Sequence, residues 1–255
     1  MIEPHFKRPD LELYKGDAIA LLPQMPSGSI VALICDPPYS SGGAFRGDRM
    51  QDTTTKYVQT GTQMFRPDFT GDNRDQWSYL YWCALWLSEC LRLAEPGAPA
   101  CLFTDWRQLP VTVAALQAGG WIWRGIVPWN KGDGSRPQMG RFKSGQCEFV
   151  VWGSAGPMPP REDVGVLPGW FECPSLASEK YSIAGKPLEV MREIVRICRP
   201  GGTVLDPFAG GGTTLVASVL EGRKAIGFEL ANDQLPITID RIKADLAQGD
   251  LFQRY

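Results

Sequence analysis

The chain has one histidine, His5, and its 7 cysteines form no CxxC pair. Those two shortages argue against a zinc site and against a disulfide framework. No apolar run approaches the ~20 residues that cross a bilayer. The opening segment MIEPHFKRPDLELYKGD lacks the apolar core of a secretory signal. An excess of basic charge is also missing, since the formal net charge is −2; overall composition does not advertise a nucleic-acid partner. The expectation is a reduced, cytoplasmic protein with no metal and no membrane contact.

What is present is an alternation. Apolar, β-rich runs fall at 11–14, 30–35, 99–103, 121–129, 147–152, 203–206 and 224–228, and helical patterns at about 17–22, 76–94, 106–118, 186–198, 212–221 and 232–246. Apolar residues at 188, 190, 191, 194, 195 and 198 draw one stripe along the fourth helical pattern. Near-continuous apolar strands alternating with helices predict a mostly parallel sheet buried on both faces, a doubly wound α/β fold. Two stretches interrupt the alternation, 40–75 and 153–182, both polar or rich in Gly, Thr and Pro. Loops of that length inside a compact domain are usually functional or mobile. A basic cluster lies at Arg124, Lys131, Arg136, Arg141 and Lys143, against a single acid, Asp133. It reads either as a solvated loop or as a surface for phosphates.

Two short stretches carry chemistry. After the apolar run SIVALIC comes DPPY, Asp36-Pro37-Pro38-Tyr39. Two prolines end a strand, refuse a helix and hold the preceding residue extended. The result is a stiff corner that presents one carboxylate and one aromatic ring. The second stretch, TVLDPFAGGGTTLVASVLEGRKAIGFEL, runs from a strand end at Asp206 through a glycine turn into a helix and then a strand ending at Glu229. An acid at that distance from glycines is placed to meet ribose hydroxyls. The turn reads G-G-G-T-T rather than G-x-G-x-x-G, and Leu215 stands where a third spaced glycine would pack. A nucleoside without a pyrophosphate is the better guest. The plainer alternatives are a turn acid for Asp36, a core aromatic for Tyr39, and an ordinary βα turn for the glycines.

DPPY at 36–39 and DPFAGGGTT at 206–214 together resemble the catalytic and cofactor motifs of amino-group DNA methyltransferases. Their order, catalytic motif first, is that of the circularly permuted β-class. VPWNKG at 127–132, CEFVVW at 147–152 and GKP at 185–187 are further similarities. Where the family commonly has His-Pro-x-Gln before the Lys-Pro pair, this chain reads Ser182-Ile183-Ala184-Gly185. The resemblance implies a single Rossmann-like catalytic domain over 1–255, with a sheet of about seven strands and 40–75 and 153–182 as target-recognition regions. It implies S-adenosyl-L-methionine as cofactor and double-stranded DNA as partner, and it allows a homodimer and a cognate restriction nuclease. The host would be a bacterium or its phage.

By the same resemblance, Asp36, Pro37, Pro38 and Tyr39 are catalytic. Asp17, Lys186, Asp206, Pro207, Phe208, Ala209, Gly210, Gly212, Thr213, Thr214 and Glu229 hold the cofactor, and Asp17 also reads as a helix N-cap. Arg46, Lys131, Arg136, Arg141 and Lys143 meet DNA. The activity implied is methylation of adenine N6 on a flipped-out base. Alternatives are cytosine N4, adenine N6 in RNA, and a non-catalytic cofactor-binding subunit.

Overall fold

A computed structural model describes residues 2–39, 74–132, 139–140, 142–143, 145–174 and 185–252, the side chains of 248–252 excepted. Arg46, Arg136, Arg141 and most of the 40–75 segment lie outside the described residues, as does 175–184.

Among the described residues nine strands form one sheet in the order β1-β2-β9-β8-β3-β4-β6-β5-β7. They are β1 (Phe6–Arg8), β2 (Leu11–Lys15), β3 (Ala32–Cys35), β4 (Pro99–Thr104), β5 (Ile122–Asn130), β6 (Cys147–Ser154), β7 (Phe171–Glu172), β8 (Thr203–Asp206) and β9 (Lys224–Glu229). Neighbours from β2 to β4 are parallel, whereas β6 runs antiparallel to both β4 and β5. The sheet therefore exceeds the expected seven strands by β1 and β7. β1 has 3 residues, FKR, and β7 has 2. Neither is long enough to show an alternation.

Helices α1 (Ala18–Leu21), α2 (Gln76–Leu93) and α3 (Leu109–Ala118) cover one face, and α4 (Leu188–Val195), α5 (Thr213–Leu220) and α6 (Gln234–Phe252) the other. Sandwiched in this way, β3 and β4 are buried at every position, which is why their sequences show no polar alternation. Local chemistry sets the helix starts. α3 begins three residues later than its pattern predicts because Asp105 accepts the N–H groups of Arg107 and Gln108 at 3.0 and 2.9 Å, closing a separate turn first. Pro23 ends α1 after one turn by starting a 3₁₀ turn over Leu22–Gln24.

α5 lies close to β9 because of Gly227. A Cβ there would sit 2.7 Å from Leu215 Cδ1 and 3.1 Å from Ala209 Cβ. The sheet thus supplies the space that a third glycine in the turn would have supplied, and Leu215 fills it. Leu215 is fully buried and has no room to turn aside. Gly227→Ala is expected to destabilise by about 1–3 kcal/mol through overpacking, read as a lower denaturant midpoint with an unchanged slope.

Residues 158–171 cross the sheet flank beside α4 and enclose a mainly apolar cavity of about 350 Å³ over Val127, Val150 and Trp152. The segment returns to the sheet at β7, where Trp129 Nε1 donates to the Cys173 carbonyl at 2.9 Å.

Candidate active site at the carboxyl edge of the sheet

From β8 the chain order runs outward through β9 on one side, and from β3 through β4 on the other. The β8–β3 boundary is thus the topological switch point, where open α/β sheets form a crevice beyond the strand carboxyl ends. Both informative stretches open there. Asp206 ends β8, Asp36 follows β3, and the two strands pair in parallel with Leu33 beside Leu205. A catalytic corner and a glycine turn separated by most of the sequence are neighbours in space.

Acids line this edge strand by strand. Asp17 caps α1 after β2, accepting from Ile19 N–H at 2.9 Å. Glu229 ends β9, with Oε2 accepting from Gly210 N–H at 2.8 Å and Oε1 from Ala231 N–H at 2.7 Å. Asp206 accepts from Phe208 N–H at 3.0 Å. Among the described residues no lysine or arginine pairs with Asp206 or Glu229. Burial pushes the Asp206 carboxyl up to about 7; hydrogen bonds from Thr214 and Phe208 oppose the rise, and the charges of Asp36 and Glu229 add to it. Burial also raises Glu229, against its backbone donors. Such a row suits a ligand that brings its own positive charge and hydroxyl donors. A pyrophosphate would be repelled.

The turn between them is held from beneath by α6. Arg241 Nη1 donates to the Gly211 carbonyl at 2.8 Å and to the Thr213 hydroxyl at 2.7 Å, and Thr238 donates to the Gly210 carbonyl. Gly212 has φ +76°, and a Cβ there would stand 3.0 Å from Thr238. It has both a conformational and a steric reason to be glycine. Ala209, Thr213 and Thr214 are buried in the same turn, and Pro207 starts it. The ring of Phe208 packs on Trp82 and Trp86, centroids 5.2 and 5.0 Å apart.

On the other side of the switch point, the prolines lead Tyr39 into a compact charge cluster. Lys186 Nζ lies 2.8 Å from Asp36 Oδ2, 3.1 Å from Glu148 Oε2 and 3.2 Å from the Tyr39 hydroxyl. Tyr39 in turn donates to Glu148 Oε2 at 3.4 Å, and Lys131 Nζ meets Glu148 Oε1 at 2.9 Å. Burial opposes the charge on Glu148, but Lys186 and Lys131 overcome it and hold the carboxyl at about 2. For Lys186, burial opposes the ammonium, and Asp36 and Glu148 more than compensate, raising it above the usual lysine range. Glu148 and Lys186 are both ionised at neutral pH.

Several residues therefore sit differently from the sequence expectation. The Lys186 ammonium, with three N–H donors, meets three acceptors beside the catalytic corner. Lys131 is an internal partner of Glu148 rather than a cation held out for phosphates. Tyr39 is 7% exposed, so its ring forms a wall of the crevice and not an open stacking platform. Lys143 is half-buried. Glu148, Trp82, Trp86 and Asp105 were not singled out from the sequence. The one signal for Glu148 was an acid within the apolar strand CEFVVW; the tryptophans read only as helix core.

The chain is similar to known proteins along most of its length. Its fold matches a Thermus thermophilus protein described as a DNA modification methylase and crystallised with S-adenosyl-L-methionine, with TM-score 0.64, 21% identity, and 91% of this chain and 93% of that one covered. It also matches the cytosine-N4-specific PvuII DNA methyltransferase, with TM-score 0.69, 16% identity, and 97% and 95% covered. The architecture is thus the class I methyltransferase fold. In sequence, the Type II methyltransferase M.ScaI of Streptomyces caespitosus is 22% identical, over 95% of this chain and 84% of its own length. Residues 169–240, which hold α4, the glycine turn and β9, match the N6/N4 family model described as DNA methylase. The curated relatives and the matched family model thus agree: what this chain resembles are DNA methylases of the N6/N4 type.

Proposed function

We propose that the protein transfers a methyl group from S-adenosyl-L-methionine to the N6 amine of an adenine flipped out of double-stranded DNA. The observation that carries this reading is the adjacency of Asp36 and Asp206 at the switch point. Bound on the glycine turn, the cofactor supplies an electrophilic methyl on a cationic sulfur. Glu229 has lone pairs left that would take ribose hydroxyls, Asp206 would hold the ligand's ammonium, Phe208 would wall the methionine side, and Asp17 would accept from its adenine amine.

An exocyclic amine is a weak nucleophile because its lone pair is delocalised into the ring. The Asp36 carboxylate and the Pro37 carbonyl accept its two hydrogens and draw the nitrogen toward tetrahedral geometry. The locked φ angles of Pro37 and Pro38 fix where that carbonyl points. As the new nitrogen–carbon bond would form and the donor's sulfur–carbon bond break, Asp36 would take the proton that leaves the nitrogen. Positioning and charge complementarity carry the rate, with no covalent enzyme intermediate. Flipping costs a few kcal/mol, recovered in part against Tyr39 as the crevice fills. Target sequence is read by the 40–75 and 153–182 regions, with Arg46, Arg136, Arg141 and Lys143 on the phosphates.

Asp rather than Ser at the head of the tetrapeptide favours adenine over cytosine N4, which the same geometry serves. The protein works on cytoplasmic DNA of a bacterium or phage as one domain, and a cognate restriction nuclease would fit the Type II names of its relatives. Incubation with labelled S-adenosylmethionine and unmethylated duplex DNA, followed by digestion to nucleosides, should yield N6-methyladenine. N4-methylcytosine, transfer to RNA alone, or no transfer at all would each reject the assignment.

The Asp206 carboxyl makes cofactor affinity depend on pH. A buried acid raised to about 7 contributes stability that is full below its usual value of 3.8 and lost as pH rises through 7. A cationic ligand needs the ionised form. Affinity is therefore expected to strengthen about tenfold from pH 6 to pH 8 and then level off, measured by titration calorimetry, and Asp206→Asn should flatten that rise.

A further inference from the structure

We infer that Lys186 and Glu148 are positioning residues for the catalytic carboxylate, Lys186 clamping Asp36 directly and Glu148 acting through Lys186. This rests on the methyl-transfer reading of the site. Nothing in a cofactor pocket calls for a buried lysine on the far side of the catalytic corner, and geometry gives it other work.

The ammonium of Lys186 is committed in all three directions, to Asp36, Glu148 and Tyr39. A group so held cannot swing, and neither can the carboxylate it binds: with Oδ2 fixed at 2.8 Å, the plane of the Asp36 carboxylate is set. An unclamped Asp36 could rotate about its terminal torsion, which is broad and two-fold, and would face the target amine in only some of its orientations. Asp36 also shares the carboxyl edge with Asp206, whose charge it opposes, so an unclamped carboxylate would be pushed off its post.

Glu148 completes the device. It accepts from Lys186 and Tyr39 on one oxygen and from Lys131 on the other. The cluster holds two anions, Asp36 and Glu148, and two cations, Lys131 and Lys186. It is balanced, and a balanced set of paired, hydrogen-bonded charges is what makes their burial tolerable. Glu148 comes from β6, Lys131 from the end of β5, and Lys186 from the approach to α4. Three elements that share no local sequence thus converge on the back of one catalytic group.

The test is steady-state and single-turnover methylation of duplex DNA by the full chain. Lys186→Met is expected to lower kcat on the order of 10²-fold, the cost of a small misplacement at the reacting centre. KM for DNA and the cofactor dissociation constant should stay within about twofold of wild type, since the Lys186 ammonium is already committed to Asp36, Glu148 and Tyr39. Lys186→Arg should restore most of the loss. Glu148→Gln should lose on the order of tenfold, and the Lys186→Met/Glu148→Gln double variant should be no slower than Lys186→Met alone, because Glu148 works through the lysine.

Removing one partner of a buried pair is strongly destabilising. Should Lys186→Met fail to fold, Lys186→Gln, which keeps a donor toward Asp36, and Glu148→Gln carry the same comparison. An unchanged kcat, a loss confined to KM, or single-variant losses that multiply in the double variant would overturn the inference. Wild-type turnover is the control: if wild type transfers no methyl group, the functional reading itself falls.

Discussion

Asp36→Asn is expected to lower single-turnover methylation by 10³-fold or more, while S-adenosylmethionine still binds with near wild-type affinity. The estimate combines loss of a positioned proton acceptor, roughly 10²–10⁴-fold, with loss of the negative charge facing a developing ammonium. Asparagine is the informative replacement because its side-chain oxygen still accepts from Lys186, so the 2.8 Å contact is weakened without leaving a bare buried ammonium. Asp36→Ala removes that acceptor too and should be at least as slow. Cofactor binding survives because the glycine turn is built on β8, β9 and α6 and owes nothing to the tetrapeptide. Retained turnover in Asp36→Asn would take the carboxylate out of the chemistry.

Trp86→Ala should have the largest effect on folding. Trp86 is fully buried and meets Phe208 edge-on at 5.0 Å and Trp82 at 6.0 Å. Deleting such a side chain costs about 3–5 kcal/mol in transfer and cavity terms, about a third of the stability of an ordinary domain. At roughly 2–4 °C per kcal/mol for a chain of this size, the melting temperature should fall by about 10 °C. The ring of Phe208 rests on this tryptophan, so cofactor affinity should weaken as well. A drop in melting temperature with affinity untouched would mean that Phe208 is held by its backbone alone.

The switch-point geometry could be read from the sequence because its parts are local. A proline corner at a strand end, a glycine turn at another, and a terminal acid each carry their own stereochemical reason. The charge cluster could not. Lys186 reads as half of a Lys-Pro pair near missing family residues, and only the packing of β5 and β6 brings Glu148 and Lys131 to it. Gly227 shows the same limit from another direction. Its value lies in the distance to Leu215, a tertiary fact, and in the sequence it is one glycine in KAIGFE. Of the strands, the long apolar ones were plain, whereas β1 and β7 owe their existence to a neighbour's edge and not to their own composition.

The pairing of β2 with β9 and of β3 with β8 has a consequence for how the protein is made. The first strands to leave the ribosome have no partner on one side until the last ones appear. At ordinary synthesis rates that wait is on the order of ten seconds or longer. Throughout it, the newborn chain carries bare, strongly apolar segments such as SIVALIC. No crevice exists in that interval, because the glycine turn and the strands that flank it have yet to be translated.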